Sequence, residues 1–172
     1  DVNAQDGSGS TPLHMAVRTE KLEVVKKLLS TYGIRVDLTD QDGKTPLTLA
    51  TYWGLKTIAL TFIEQSQAFP LPPKDAVHAL VLSARHGDRD LVELLLTKTR
   101  YKGLSFHMDV SGRTLIHLAA MENWSDILKR CLDRADDINV NAIDHSGGTA
   151  LHYAAKLGCT ESCNVLLDAG AS

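Results

Sequence analysis

The chain has 172 residues, of which 44% are hydrophobic and 23% charged, and its net charge is -3 at pH 7. The hydrophobic content argues against an intrinsically disordered chain, and the near-balance of charge argues against nucleic-acid binding, which needs a concentrated basic surface. The longest stretches without Asp, Glu, Lys or Arg have 11 residues, whereas a membrane-spanning helix needs roughly 20. We therefore expect a globular segment that does not insert into a membrane.

The cysteine count and the first residues predict the context of the chain. Three cysteines are too few, and odd in number, for a disulfide framework. This indicates a reducing compartment, so we expect an intracellular protein of the cytoplasm or nucleus. The sequence opens with neither a signal peptide nor an initiator methionine, and we expect it to be a fragment of a longer protein.

Taken in chain order, the sequence repeats itself. Four copies align on Thr11, Thr45, Thr114 and Thr149, and a less regular copy aligns on His78, at intervals of 34, 33, 36 and 35 residues. The first threonine is followed by Pro-Leu-His, and related residues follow the other three. An aspartate stands five residues before each threonine and a glycine two residues before it. Such fixed offsets in four copies identify a true repeat.

Each copy predicts a turn followed by two helices. The Asp and Gly positions predict a tight turn, Thr is a preferred helix N-cap, and Pro is tolerated at the first helical position. We expect the first helix to end near Gly54, Gly87 or Gly158, since glycine tolerates a left-handed cap. Asn123 suits this position in the fourth copy, whereas Glu20 does not suit it in the first. Apolar pairs spaced by about one helical turn predict the second helix.

This pattern resembles the ankyrin repeat, through its turn, its Thr-Pro-Leu-His opening and its two antiparallel helices. The resemblance extends over the whole chain and implies an all-α fold: a solenoid of stacked antiparallel helix pairs with β-turn or hairpin fingers. Because one helix pair of this size cannot bury both of its faces, neighbouring repeats must stack. We expect one domain over residues 1–172, with repeats at approximately 1–35, 36–68, 69–103, 104–138 and 139–172.

The third repeat departs from this pattern. The segment 69–74, Phe-Pro-Leu-Pro-Pro-Lys, stands where turn residues belong, and His78-Ala79-Leu80-Val81 replaces the usual opening. Three prolines in four residues favour extended backbone, so we expect two intact helices preceded by a distorted finger. The segment is a hinge, a contact surface for a partner or a tolerated loop variant, and the sequence leaves these alternatives open.

The sequence predicts no catalytic, cofactor or metal site. In the ankyrin pattern the position of His14, His117 and His152 is structural, because the histidine hydrogen-bonds backbone near the turns. Cys159 and Cys163 could share a helix face, but the sequence places no further zinc ligands beside them, so buried packing explains them better. No nucleophile elbow or phosphate-binding loop is present, and we therefore predict neither a cofactor nor an enzyme.

The ankyrin resemblance implies a protein-binding surface on the concave face, formed by turn tips and the ends of the first helices. The predicted binding residues are Gln41, Asp42, Lys44, Tyr52, Trp53, Arg85, His86, Arg113, Met121, Glu122, His145, Lys156 and Leu157. Further positions on this face are Gly7, Ser8, Ser10, Arg18, Thr19, Val110, Ser111, Ser146 and Gly148. The set is rich in residue types favoured at interface cores. A Tyr52-Trp53 pair beside a shelf made by Arg85 and His86 would hold an aromatic or acidic segment of a partner; alternatively, Trp53 packs under the distorted third finger.

Two functions remain open at this point. The first is a non-catalytic interaction module that binds another protein, with a monomer favoured and no nucleic-acid partner. The second is a regulatory or structural arm of a multidomain protein, such as a signalling ATPase, transcription regulator, channel or effector, that packs on flanking domains. Neither function identifies the partner, because a repeat surface specifies it by shape.

Overall fold

A computed structural model describes residues 1–65, 72–98, 108–134 and 138–172. These residues form ten helices and no strand. The helices are α1 (Pro12–Arg18), α2 (Leu22–Leu29), α3 (Pro46–Tyr52), α4 (Lys56–Glu64), α5 (Pro73–Arg85), α6 (Arg89–Lys98), α7 (Leu115–Met121), α8 (Ser125–Arg134), α9 (Ala150–Leu157) and α10 (Thr160–Asp168). The described chain is therefore all-α, as the sequence predicts, with two successive helices in each repeat.

The first helices of the four regular repeats begin at the predicted threonines. Thr11, Thr45, Thr114 and Thr149 all have extended backbone at the N-cap position. In α1 the Thr11 hydroxyl accepts the backbone N–H of His14 at 3.3 Å, and His14 Nδ1 accepts the backbone N–H of Thr11 at 3.1 Å. These reciprocal bonds satisfy donors that the end of a helix would otherwise leave unpaired.

The third repeat begins its first helix earlier than the sequence predicts. Helix α5 starts at Pro73 and has 13 residues, whereas the other first helices have seven or eight. The expectation of extended backbone is therefore wrong at Pro73 and Lys74, because proline has no N–H to leave unpaired and its φ suits a helix start. His78 consequently lies inside α5 instead of capping it. Both predicted helices are present, and residues 69–71 of the predicted finger lie outside the described residues.

In each repeat, a residue with a left-handed backbone conformation links the two helices. Gly54, Gly87 and Gly158 have φ of 68°, 71° and 72°, as predicted for glycine caps. Asn123 and Glu20 adopt the same conformation, with φ of 55° and 54°. Glu20 thus takes a backbone that its side chain disfavours by about 1 kcal/mol relative to glycine.

The chain divides into two compact units, Asp1–Ala79 and Leu80–Ser172. In the first unit α1 packs on α3 and α2 on α4, around the fully buried Leu13 and Phe62. In the second unit α7 packs on α9 and α8 on α10 in the same way. First helices therefore stack on first helices and second on second, which is the arrangement that the repeat predicts. No helix of the described residues is long and apolar enough to cross a membrane.

Candidate protein-interaction surface

An aspartate organises each regular finger, the turn that precedes a first helix. In the second repeat, Asp40 Oδ1 accepts the backbone N–H groups of Asp42 and Lys44 at 3.0 and 2.9 Å, and the Asp40 carbonyl accepts that of Gly43 at 2.9 Å. Gly43 has a φ of 71°, which closes the turn. The equivalent aspartates of the other regular repeats are Asp6, Asp109 and Asp144. Since the aspartate occupies the turn interior, neighbouring side chains are directed outward.

Arginine side chains pair with the second carboxylate oxygen in two of these fingers. Arg18, in the last turn of α1, donates from one terminal guanidinium nitrogen to Asp40 Oδ2 at 2.9 Å. Arg113 donates to Asp109 Oδ2 from Nε at 3.0 Å and from a terminal nitrogen at 2.8 Å. Both carboxylates are almost fully buried. Arg18 and Arg113, which the sequence assigns to the binding face, therefore also stabilise the turns.

The finger carboxylates remain ionised because hydrogen bonds hold their charge. Burial raises the pKa of Asp109, but the backbone N–H and the guanidinium of Arg113 outweigh burial, and the pKa is lowered. At Asp144 the hydroxyl of Tyr153, followed by that of Ser146, holds the pKa of the carboxyl well below its usual range. Hydrogen bonds to the charged form thus prevail over burial at both sites.

Two buried histidines join one repeat to the finger of the next. His14 Nε2 lies 3.0 Å from the Lys44 carbonyl oxygen, and His117 Nε2 lies 3.1 Å from that of Gly148. Because Nδ1 accepts a backbone N–H in both rings, Nε2 carries the proton and donates. Burial lowers the pKa of both histidines, with the carbonyl bond opposing it. The predicted structural role of these histidines is confirmed, while His152, at the same position of the fifth repeat, is exposed.

Main-chain hydrogen bonds set the spacing of neighbouring fingertips. The backbone N–H of Gln41 donates to the Ser8 carbonyl at 3.0 Å, and that of His145 donates to the Ser111 carbonyl at 3.0 Å. The side chains of these residues therefore lie side by side along the edge of each finger pair. A row of this kind provides fixed positions from which side chains can contact a partner.

The predicted binding residues of the first unit lie on the second finger and at the end of α3. Gln41 and Asp42 are exposed at the fingertip, and Tyr52 and Trp53 are each 45% exposed. Lys44 Nζ lies 5.0 Å from the Tyr52 ring centroid, within cation–π range, and 3.5 Å from the Asp42 carboxylate. We call Lys44, Tyr52 and Trp53 the aromatic patch.

The other predicted binding residues lie in the second unit. The exposed ones are Arg85, His86, Glu122, His145, Lys156 and Leu157, whereas Arg113 and Met121 are partly buried. One terminal nitrogen of Arg113 lies 3.7 Å from Met121 Sδ. The shelf of Arg85 and His86 belongs to a different unit from Tyr52 and Trp53, so their association remains a prediction.

The fourth and fifth fingers enclose an open depression of about 360 Å³. Its lining residues are Ser111, Arg113, Asp144, His145, Ser146 and Tyr153. Four of these six belong to the face that the sequence indicates, and the structure brings them together. The Tyr153 ring also packs edge-on against His117, with the ring centroids 6.2 Å apart.

A family model described as ankyrin repeats (three copies) matches residues 1–70 and 78–172. The chain belongs to the ankyrin repeat family. The p105 subunit of chicken nuclear factor NF-kappa-B is 31% identical over 173 residues, which cover 99% of this chain and 17% of that protein. The human transient receptor potential cation channel subfamily A member 1 is 29% identical, over 98% of this chain and 18% of the channel. The chain thus spans less than a fifth of the length of either relative.

The ankyrin fold is also that of a solved ankyrin repeat domain from Acinetobacter baumannii AYE. The two chains align with a TM-score of 0.73 and 24% identity, over 99% of this chain and 87% of the bacterial one. At this identity the similarity concerns the fold alone. Ankyrin repeats are generic protein-interaction modules, and their fold is non-enzymatic.

Tyr153 is the residue of the depression that the ankyrin pattern does not single out. Met15, Leu49 and Leu118 occupy the same position in other repeats, so the pattern indicates an ordinary apolar contact there. Tyrosine at such a position carries a hydroxyl that needs a hydrogen-bond partner. That requirement is the sequence signal that could have pointed to Asp144.

The cysteines of this ankyrin chain are free thiols. Cys131 and Cys159 are buried and Cys163 is partly exposed, and burial raises the pKa of Cys131 to about 12. Across the described ranges, no three His, Cys, Asp or Glu side chains are arranged to hold a metal ion. Cys131 and Cys159 lie in the interior, where the Cys159 thiol is 3.8 Å from the Met121 carbonyl oxygen.

Proposed function

We propose that this ankyrin chain is a non-catalytic module that binds a partner protein through its fingers and the ends of its first helices. The observation that carries the proposal is the aromatic patch, in which Tyr52 and Trp53 are exposed and Lys44 lies against the Tyr52 ring. Exposed aromatic side chains on a rigid scaffold are enriched among the residues that dominate binding energy. The proposed partner is a protein rather than a nucleic acid, since the net charge is -3.

Two further observations support this proposal. The turn aspartates and interrepeat histidines have their hydrogen bonds within the fold, which holds the fingers rigid beneath the exposed positions. The free thiols suit an intracellular location, where such modules meet cytoplasmic or nuclear partners. The predicted binding residues on the fingers and helix ends are then the proposed contact surface.

The proposal is tested by substituting Trp53→Ala together with Arg85→Ala. We expect the double variant to lose, in an affinity pull-down from cell extract, proteins that the wild-type chain retains, while its melting temperature stays nearly unchanged. Tyr32→Ala is the matched control, because Tyr32 is the most exposed aromatic side chain of the described residues and lies after α2, outside the predicted binding residues. A large fall in melting temperature with unchanged binding would make Trp53 a core residue and remove it from the interface.

The alternative function is a regulatory or structural arm that packs on flanking domains. It is favoured by the relatives, in which the aligned region is less than a fifth of the protein. Cross-linking of the full-length protein through Lys44 and Lys156 distinguishes the two functions. Cross-links to other segments of the same chain support an arm, and cross-links to separate proteins support an interaction module.

A further inference from the structure

The depression between the fourth and fifth fingers has rigid polar walls. The Arg113 guanidinium is fixed by Asp109 and by Met121 Sδ. His145 lies over Gly112, so closely that a methyl group there would come within 2.5 Å of the imidazole Cδ2. The Tyr153 hydroxyl is held by Asp144. Side chains fixed in this way lose little conformational entropy when a ligand binds.

These walls present hydrogen-bond donors to the depression. A guanidinium has five N–H groups, of which the contacts to Asp109 and Met121 use three. Among the described residues, the Ser111 hydroxyl and the His145 ring nitrogens make no hydrogen bond. The ligand should therefore supply acceptors, which argues against a cation.

The equivalent positions of the first two fingers form internal hydrogen bonds instead. Ser8 aligns with Ser111, and its hydroxyl donates to Asp6 at 2.7 Å. Gln41 aligns with His145, and its amide nitrogen donates to the Gly7 carbonyl at 2.7 Å. The comparison within one chain thus shows that open donors at these positions are a property of the fourth and fifth fingers.

The fixed charges around the depression disfavour an anion. Arg113 contributes one positive charge, and the ionised Asp109 and Asp144 contribute one negative charge each, which leaves a sum of -1. An incoming carboxylate or phosphate would be repelled by Asp144, whose charge its own hydrogen bonds maintain. The remaining ligand class is an uncharged acceptor, a carbonyl or carboxamide oxygen.

We propose that this depression binds an extended segment of the partner protein through an uncharged carbonyl oxygen, from the main chain or from Asn or Gln. The segment accepts hydrogen bonds from Arg113, Ser111 and His145. An extended chain suits the depression because its carbonyl groups are not engaged in helical hydrogen bonds. This inference rests on the proposed function and specifies the chemistry of part of its contact surface.

The experiment selects peptides from a random linear 12-residue display library on the wild-type chain and measures their dissociation constants. We expect the Ser111→Ala/His145→Ala variant to weaken the selected peptides by about tenfold, as the loss of two hydrogen bonds predicts. The matched control, Ser30→Ala/Tyr32→Ala, also removes a serine hydroxyl and an aromatic ring, but at exposed positions after α2 that are outside the proposed contact surface, and it should leave their affinity unchanged. We also expect Asn and Gln to be enriched over Asp and Glu in the selected sequences, and both variants to keep the wild-type helical content.

Each other outcome overturns this inference in a recognisable way. An acidic consensus would contradict the uncharged acceptor. Peptides that depend on Tyr52 and Trp53 but tolerate the Ser111→Ala/His145→Ala change would leave the proposed function intact and remove the depression from the contact surface. Failure to select any peptide would exclude an extended ligand, and binding of folded partners in the pull-down would then still support an interaction module.

Discussion

The first and second repeats differ in how each contacts the repeat that follows it. In the first repeat, the buried His14 donates to the Lys44 carbonyl of the next finger. In the second repeat the equivalent residue is Thr48, whose hydrogen bonds within the described part of the chain go to Thr45 of its own repeat. The Thr45 side chain also acts on Asp75 in the first turn of α5, where it lowers the pKa of that carboxyl against the effect of burial. Each of these contacts thus includes one ionisable side chain, but His14 is uncharged above its pKa and Asp75 below its pKa.

We call the contact of His14 with the second finger the histidine junction and the contact of Asp75 with Thr45 the aspartate junction. The two junctions respond to pH in opposite directions. Burial lowers the pKa of His14, so its contribution to stability is present above pH 6.5 and is lost as the pH falls through the lowered pKa. Burial raises the pKa of Asp75, with the Thr45 side chain opposing this effect. Its contribution is therefore present below pH 3.8 and is lost as the pH rises through the raised pKa. The histidine junction is weakened by acid and the aspartate junction by neutral pH.

The largest expected effect comes from removing a histidine junction. His117→Ala should lower the free energy of unfolding by about 3 kcal/mol, because it leaves a cavity at a fully buried side chain and removes the hydrogen bond to the Gly148 carbonyl, which keeps only the backbone N–H of Asp144. Thr48→Ala, at the same repeat position, should lower it by about 1 kcal/mol, since it removes only bonds within the second repeat. Urea denaturation at pH 7 measures both values.

His152→Ala is the matched control for this comparison. His152 shares the capping contact with its threonine but is exposed, so its loss should change stability by about 0.5 kcal/mol. Equal effects at His117 and His152 would show that the bond to the next finger contributes nothing beyond helix capping. His117 would then stabilise the stack of repeats no more than Thr48 does at the same repeat position.

Much of this fold follows from local residue chemistry. Thr11 and His14 predict a capped helix, and the aspartate and glycine before them predict its finger, because each of these residues acts on its immediate neighbours. Pro73 shows where such reasoning fails. A proline can begin a helix as readily as it can extend a loop, and the choice depends on the chain that surrounds it.

The site was less predictable because its residues act in pairs. Arg113 is suitable for an interface by residue type, yet it also neutralises Asp109, four residues earlier, and that spacing was visible in the sequence. Tyr153 occupies an apolar repeat position, and only the fold shows its hydroxyl on Asp144. The interrepeat bond of His117 was predictable from the ankyrin resemblance, whereas the substitute contact of Asp75 lies in an irregular repeat.

A smaller effect is expected when the ionisable group of the second junction is removed. Asp75→Asn should raise the free energy of unfolding at pH 7 by at most about 1 kcal/mol, because a neutral amide keeps an acceptor for Thr45 and avoids burial of a charge. The gain should vanish well below pH 3.8, where the wild-type carboxyl is protonated. Unfolding at pH 7 and at pH 3 measures the difference. A gain of equal size at both pH values would mean that ionisation of Asp75 does not weaken the junction.

The smallest expected effect comes from a substitution within one repeat that alters neither junction. Glu20 holds the left-handed position that Gly54, Gly87 and Gly158 hold elsewhere. Glu20→Gly should raise the free energy of unfolding by about 0.5 kcal/mol, because relief of the left-handed strain is partly offset by the larger entropy of glycine in the unfolded chain. The gain should be independent of pH between 5 and 8, since no junction group is altered, and thermal unfolding at several pH values tests this. A destabilised variant would show that the Glu20 side chain makes a compensating interaction. Glu20→Gly would then not serve as the pH-independent control for the two junctions.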